Sequence, residues 1–161
     1  MLTQVLVADN IKKIGDALLV LISSTAYGTT LYLDDKEGQK EFYKSFTTNA
    51  GITYGLKYGV NRKRPNGEDY SFPSGHTSTT FQGATFVHKR YGLKYAIPLY
   101  LEATFVGYSR VHADKHYLSD VLAGAVIGGL SSFYFTTDYK GINIQPIVMN
   151  SGYGISFRDN F

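Results

Sequence analysis

Two long stretches without a charged residue constrain the fold of this 161-residue chain more than any other feature of its sequence. Ala17–Leu33 and Val121–Thr137 each run for 17 residues, which is the lower limit of the length that a membrane-spanning helix needs. Both stretches contain Gly, Ser and Thr, and apolar stretches this short are more often core helices than spans. We therefore expect two helices that are buried in the core.

The average hydropathy of the chain points in the same direction. A mean hydropathy of −0.14 argues against a protein with several membrane spans and favours a soluble or peripheral form. The sequence starts with MLTQVLVADNIKK, in which the charged residues come after a short apolar patch. A secretory signal has its positive charges before the apolar region, so none is predicted here. We expect an exported form to have lost its signal from this chain.

Apolar residues at helical spacing predict five main helices. The first begins at Asp9 or Asn10, and the second follows a charged turn at 34–41. Prolines, Asn-Gly and Ser-Gly mark 61–75 as a loop. The other three helices are expected at about Ser74–Gly92, Leu93–Tyr108 and Tyr117–Phe135.

The C-terminal segment differs in kind from the helical part. Gly141–Phe161 is rich in β-branched residues, Pro and Gly, in the pattern of two short strands around a turn. The predicted fold class is therefore all-α: a helical bundle of about five main helices with a short extended or β-hairpin C-terminal tail. We place a helical domain at 1–137 and the tail at 138–161.

Composition and charge limit the kinds of reaction and ligand that the chain can support. Cysteine is absent, which excludes a disulfide framework, thiolate catalysis and cysteine-ligated metal centres. The net charge of +3 is uneven, because residues 57–94 hold seven Lys or Arg side chains against two acidic ones. Such a segment fits an anionic ligand. No nucleic-acid partner is expected, because the basic stretch is short and carries no nucleic-acid-binding signature.

Three residue clusters carry reactive or charged groups, and two of them suit an anionic ligand. Lys57 and Arg64, with Arg110 later in the chain, supply cations, and guanidinium groups suit tetrahedral oxyanions. Pro73-Ser74-Gly75-His76, at a loop-to-helix junction, offers backbone N–H groups, a hydroxyl and an imidazole to an anion. Taken singly, these residues are more often surface charges or an ordinary helix cap.

The third cluster contains a histidine and an aspartate. His116 and Asp120 are four residues apart, so on a helix they share a face. A carboxylate beside one ring nitrogen fixes the tautomer and leaves the other nitrogen free as a base or nucleophile. Taken alone, such a pair is more often a feature of a helix surface than of an active site.

Together and in this order, the clusters match a three-part signature. The chain resembles the type 2 phosphatidic acid phosphatase and vanadium haloperoxidase superfamily, which includes the soluble class A acid phosphatases of bacteria. Stretches such as KEGQKEFYKSF and VGYSRVHADKHYLSDVLAGA further resemble an exported bacterial subgroup. All eleven specified positions of the signature match: Lys57, Arg64, Pro65, Pro73, Ser74, Gly75, His76, Ser109, Arg110, His116 and Asp120.

The resemblance implies a phosphatase in residues 1–137 and a role for each matched residue. His116 would attack phosphorus and form a phosphohistidine, with Asp120 orienting its ring. His76 would protonate the leaving oxygen and then activate water. No metal is expected, because fixed cations would do the work of divalent ions, although vanadate or phosphate could occupy the site. The phosphoryl oxygens would be held by Lys57, Arg64, Ser74, the Gly75 amide and Arg110.

The expected reaction is hydrolysis of phosphate monoesters or diphosphates, with a lipid phosphate or a small soluble ester as the substrate. A vanadate-dependent haloperoxidase is the alternative, disfavoured because haloperoxidases of this superfamily are generally much longer chains. A non-catalytic phosphate-binding protein is less favoured still. The resemblance to the exported subgroup implies a periplasmic protein, or a membrane-associated one that faces the periplasm. Peripheral membrane contact and a homodimer stay open.

Overall fold

A computed structural model of the chain describes residues 2–139, 142–149 and 152–159, with side-chain burial given for residues 9–139. The helices are α1 (Leu2–Tyr32), α2 (Lys36–Val60), α3 (Gly75–Tyr91), α4 (Leu93–His112) and α5 (Leu118–Phe135). The strands are β1 (Ile142–Met149) and β2 (Gly152–Asp159). The predicted all-α bundle of five main helices is confirmed.

The strands form an antiparallel hairpin in which Met149 lies opposite Gly152. This agrees with the two strands expected in the tail, while the turn between them, at 150–151, lies outside the described residues. The division into a domain at 1–137 and a tail at 138–161 stays a prediction.

The helix ends follow local chemistry, with several differences from the expectation. Helix α1 begins at Leu2 instead of at Asp9 or Asn10, and α4 continues past Tyr108 to His112. The charged patch 34–41, expected as a turn, is mostly the start of α2, because the Asp35 carboxylate caps the helix by accepting from the Gly38 N–H at 2.9 Å. At the end of α3, Gly92 has a φ of +106°, a conformation that side chains rarely adopt, so a glycine stops the helix there.

Helix α3 lies at the centre of the bundle and contacts each of the other four helices. Its closest approach is to α5, where Gly124 and Gly128 face the α3 backbone. A Cβ added to Gly124 would lie 2.5 Å from the Ser74 carbonyl oxygen, and one on Gly128 would lie still closer to that of Ser78. The face of α5 that carries these two glycines thus packs inside the chain.

Helices α1 and α5 contradict the expectation that the two uncharged stretches are buried core helices. Only 22% of the apolar window in α1 and 33% of that in α5 is buried. Val20, Leu122 and Leu130 are each about 60% exposed. The reason is that α3 already fills the centre of the bundle, so the apolar faces of its neighbours point outward. Both helices are long and apolar enough to cross a membrane.

A second correction concerns Asp35, which belongs to the stretch expected as a charged turn at 34–41. Asp35 is buried, and its carboxylate makes a bidentate ion pair with Arg90 of α3, in which Nε lies 2.8 Å from Oδ2. Arg90 also donates to Glu41 and to the backbone of Thr137. This buried network joins the α1–α2 connection, the end of α3 and the chain beyond α5.

Candidate active site

The matched residues gather where the loop between α2 and α3 meets the start of α5. The Ser74 N–H donates to the Asp120 carbonyl at 2.9 Å, which joins the start of α3 to the first turn of α5. Lys57, near the end of α2, donates from Nζ to the carbonyls of Tyr70 and Pro73 at 2.8 and 2.9 Å. Lys57 therefore holds the loop against α2. Burial, together with the positive charge of Arg64, lowers the pKa of Lys57.

His116 and Asp120 lie close together, but they do not share a helix as the sequence suggested. His116 precedes α5, whose N-cap is Tyr117, and Asp120 lies in its first turn. The 3.8 Å between His116 Nδ1 and Asp120 Oδ2 is too long for a hydrogen bond. His116 Nδ1 is buried without a hydrogen-bond partner.

The surroundings of His116 keep its ring neutral. The side chain is 5% exposed, and burial lowers its pKa to about 4, with the charges of Lys57 and Arg64 acting in the same direction. A neutral imidazole retains a free lone pair on one nitrogen, as a nucleophile requires.

Asp120 is fully buried and its carboxylate accepts three hydrogen bonds. Oδ2 accepts from the Ser71 hydroxyl at 2.5 Å and from the Tyr117 N–H at 2.9 Å, and Oδ1 accepts from Arg62 at 2.9 Å. Arg62 also lies over the Tyr117 ring, 4.0 Å from its centroid. These contacts fix the carboxylate at the distance from His116 that the structure shows.

Sequence reasoning missed Ser71 and Arg62 as partners of Asp120. Both lie in the predicted loop, and Arg62 belongs to the basic run that the charge pattern singled out. No motif links either residue to Asp120, because they are 49 and 58 positions away in sequence.

His76 and Arg110 form a second group, in contact with α1. Arg110 is almost fully buried and donates from its guanidinium to Asp16 Oδ1 at 2.6 Å and to the Lys12 carbonyl at 2.7 Å. The same Asp16 oxygen lies 3.1 Å from His76 Nε2. Burial lowers the pKa of His76, Arg110 and Arg64 lower it further, and Asp16 opposes them.

The remaining matched residues complete the surroundings of the two histidines. Arg64 donates to the Asp69 carbonyl at 3.1 Å and to Glu68 at 3.2 Å, and its charge reaches both imidazoles. Ser74 is buried, with its hydroxyl 3.0 Å from that of Thr77. At Gly75, the first residue of α3, the nearest atom to an added Cβ is a Thr53 methyl at 3.9 Å. The helix N-terminus is therefore not crowded at this point.

The arrangement suits attack on an anionic phosphorus centre. The charges of Lys57 and Arg64 act on the buried, neutral His116. Those of Arg110 and Arg64 act on His76. Within residues 9–139, no group of three or more His, Asp or Glu side chains could hold a metal ion. The positive charges that act on the two imidazoles are those of Lys57, Arg64 and Arg110.

Comparison with known proteins agrees with this picture. The family model described as PAP2 superfamily matches residues 65–143. A lipid A 4'-phosphatase of Helicobacter pylori is 32% identical over 143 residues, which cover 81% of this chain and 71% of that protein. A lipid A 1-phosphatase of Porphyromonas gingivalis is 43% identical over 83 residues, covering 49% of this chain but 19% of the relative.

A solved structure supports the fold. The crystal structure of Aquifex aeolicus LpxE superposes with a TM-score of 0.59 at 24% identity, covering 78% of this chain and 92% of that one. The region matched by this chain covers about a fifth of the P. gingivalis protein, so that relative is much longer than the matched region.

Proposed function

Because the chain belongs to the type 2 phosphatidic acid phosphatase (PAP2) superfamily, we propose that it hydrolyses a lipid phosphate through a phosphohistidine intermediate, without a metal ion. Phosphatases of this family are metal-independent. The observation that carries the proposal is the buried, neutral His116 beside Lys57 and Arg64. A nucleophile and the cations that attract its target are thus in one place.

In the first step, His116 Nε2 attacks phosphorus while the bond to the leaving oxygen breaks. We assign the ring proton to Nδ1, the nitrogen that lies 3.8 Å from Asp120 Oδ2, which leaves the lone pair on Nε2. Phosphorylation of Nε2 makes the ring cationic, and the anionic carboxylate of Asp120, 3.8 Å from Nδ1, stabilises that charge. His76 donates its proton to the leaving oxygen.

In the second step, water attacks the phosphohistidine. His76, now neutral, takes a proton from the water as its oxygen bonds to phosphorus. The bond between phosphorus and Nε2 breaks, its electron pair returns to His116, and inorganic phosphate leaves.

The equatorial oxygens of the transferred phosphoryl group gain negative charge during both steps. We assign Lys57, Arg64 and Arg110 to hold these oxygens. Ser74 and the Gly75 N–H complete the set at the start of α3. Arg110 is held by Asp16 and Lys57 by two carbonyls, so two of the cations are fixed in place before substrate binds. Such preorganisation avoids the cost of ordering these side chains during the reaction.

The outer surface favours a lipid substrate over a soluble ester. Apolar side chains of α1 and α5 cover the outside of the bundle, including Val20, Leu122, Leu130 and Phe133. A surface of this kind is stable in a bilayer and costly in water. We therefore place the protein in a membrane, with the site towards the periplasm, and lipid A is the first substrate to test because two relatives are named for it.

The test measures phosphate release by the purified protein from lipid A in vesicles and from p-nitrophenyl phosphate, with and without a chelator. We expect activity that survives chelation, with the higher kcat/KM on the lipid. His116→Ala is expected to lower it by at least about 10³-fold, since the nucleophile is removed. His112→Ala, an exposed histidine stacked on Tyr108, is the matched control.

Each component can fail separately. Unchanged turnover in His116→Ala would contradict the phosphohistidine, and a strict Mg²⁺ requirement would contradict metal-independent hydrolysis. Oxidation of bromide by peroxide with vanadate, in place of ester hydrolysis, would support the haloperoxidase alternative.

A further inference from the structure

Asp16 contacts the candidate site from a helix that contributes nothing to the three-part signature. It lies in α1, 94 residues from Arg110, and its Oδ1 atom contacts both Arg110 at 2.6 Å and His76 Nε2 at 3.1 Å. One carboxylate oxygen therefore bridges a proposed phosphate-binding cation and the proposed general acid.

The neighbouring glycine brings α1 close enough for this contact. A Cβ on Gly15 would lie 2.6 Å from the Arg110 guanidinium and closer still to the Ser109 hydroxyl. Without a side chain at that position, α1 approaches α4 so closely that Arg110 also reaches the Lys12 carbonyl, at 2.7 Å. Gly15 and Asp16 together form an interface shaped around Arg110.

The position of Asp16 within α1 adds an independent observation. It lies in the stretch Asp9–Tyr32, which is long and apolar enough to cross a membrane. Ionisable residues in such helices are costly, pair with groups in the protein interior and mark functional sites. Asp16 has such partners in His76 and Arg110.

We propose that Asp16 is a positioning residue of the reaction, which orients His76 as the general acid and holds Arg110 beside it. This inference rests on the proposed phosphatase function. It gives the site two carboxylate–imidazole pairs: Asp120 with the nucleophile and Asp16 with the acid. A hydrogen bond from a ring nitrogen to a carboxylate fixes both the orientation and the tautomer of the imidazole.

The charges around His76 explain why the acid needs an anion. Burial lowers the pKa of His76, and the charges of Arg110 of α4 and Arg64 of the α2–α3 loop lower it further. Asp16 of α1 is the group that opposes them. Loss of the Asp16 charge lowers the pKa of His76 further, so less of the acid is protonated at neutral pH.

Substrates with different leaving groups distinguish a role of Asp16 in acid catalysis from a merely structural role. An alkoxide must be protonated as it departs, whereas p-nitrophenolate leaves without assistance. The value of kcat/KM reports the steps up to phosphoryl transfer to His116, in which His76 acts as the acid. Damage to acid catalysis therefore lowers kcat/KM for an alkyl phosphate much more than for p-nitrophenyl phosphate.

The experiment compares Asp16→Asn with the wild type on dioctanoyl phosphatidic acid and on p-nitrophenyl phosphate, across pH. We expect kcat/KM for the lipid to fall by about 10²-fold, and that for p-nitrophenyl phosphate by about tenfold or less. The alkaline limb of the lipid pH profile is expected to move to lower pH. Asp16→Glu should restore part of the activity.

The matched control is Asp9→Asn, which removes a carboxylate of the same helix that pairs with exposed Lys13. Equal losses on the two substrates, or an unshifted pH profile, would overturn the proposal. A lower KM for both substrates with unchanged kcat would also overturn it, because Asp16 would then be competing with phosphate. Wild-type protein without phosphatase activity would instead refute the proposed function itself.

Discussion

Helices α3 and α5 pack against each other, but their burial is the reverse of what their compositions predict in water. The more polar α3 is buried, and the apolar α5 is largely exposed. In α3, Thr77, Ser78 and Gln82 are fully buried. In α5, Leu122 and Leu130 are 58% and 63% exposed. The comparison teaches that this bundle is not organised by burial of its most apolar helices. Its centre is held by close packing and hydrogen bonds, as in helix associations within membranes.

The polar centre is stabilised by hydrogen bonds between helices. Ser132 of α5 donates to the Gln82 carbonyl at 2.7 Å, and the Gln82 amide donates to Ser45 of α2 at 2.9 Å. The Thr53 and Ser78 hydroxyls lie 3.0 Å apart. Small side chains allow these contacts because they let the helix backbones approach closely.

The largest effect on stability is expected for the buried ion pairs of Arg90, which test whether polar contacts stabilise the inside of the bundle. Arg90→Met leaves Asp35 and Glu41 buried without their cation, which we expect to cost about 3–5 kcal/mol of unfolding free energy. Denaturation in detergent measures the loss. Lys94→Met, which removes an exposed cation from α4, is the control. Equal stability of the two variants would show that the buried network contributes nothing.

A smaller effect tests the close contact between α5 and α3. Gly128→Ala places a Cβ against the backbone of Ser78 and Gln82, which cannot move aside as a flexible side chain can. We expect a loss of about 1–3 kcal/mol, measured by the same denaturation. A Cβ at neighbouring Gly129 lies 3.7 Å from Thr85, in ordinary contact, so Gly129→Ala should change little. A larger loss at Gly129 would contradict this packing.

The smallest effect on stability is expected on the apolar face of α5. Leu130→Ser should alter the unfolding free energy by within about 0.5 kcal/mol in detergent, because the side chain is 63% exposed. The same change should weaken association with lipid vesicles, which a flotation assay measures. A strong loss of folding without any change in flotation would show that this face packs against protein instead of lipid.

Much of the fold and of the candidate site could be predicted from the sequence. Periodicity and the residues that end helices predicted five helices, with Gly92 ending α3 as expected. The order of the three clusters predicted the superfamily. The spacing of His116 and Asp120 suggested that they lie close together, and they do, although α5 begins only after His116.

Burial could not be predicted in the same way. The uncharged stretches suggested core helices because an apolar helix is normally buried when the surroundings are water. The mean hydropathy of −0.14 supported that interpretation because it averages the polar α3 with apolar neighbours. It carries no information on which helix occupies the centre.

The sequence by itself determined the helices and the set of candidate site residues, because both follow from local patterns of a few residues. Only the tertiary structure decided how those side chains are held. Asp16 reaches Arg110 across 94 residues, and Arg62 reaches Asp120 across 58. Local spacing cannot show such contacts, because they depend on how closely whole helices pack. Gly15 and Gly128 allow this close packing because they have no side chain.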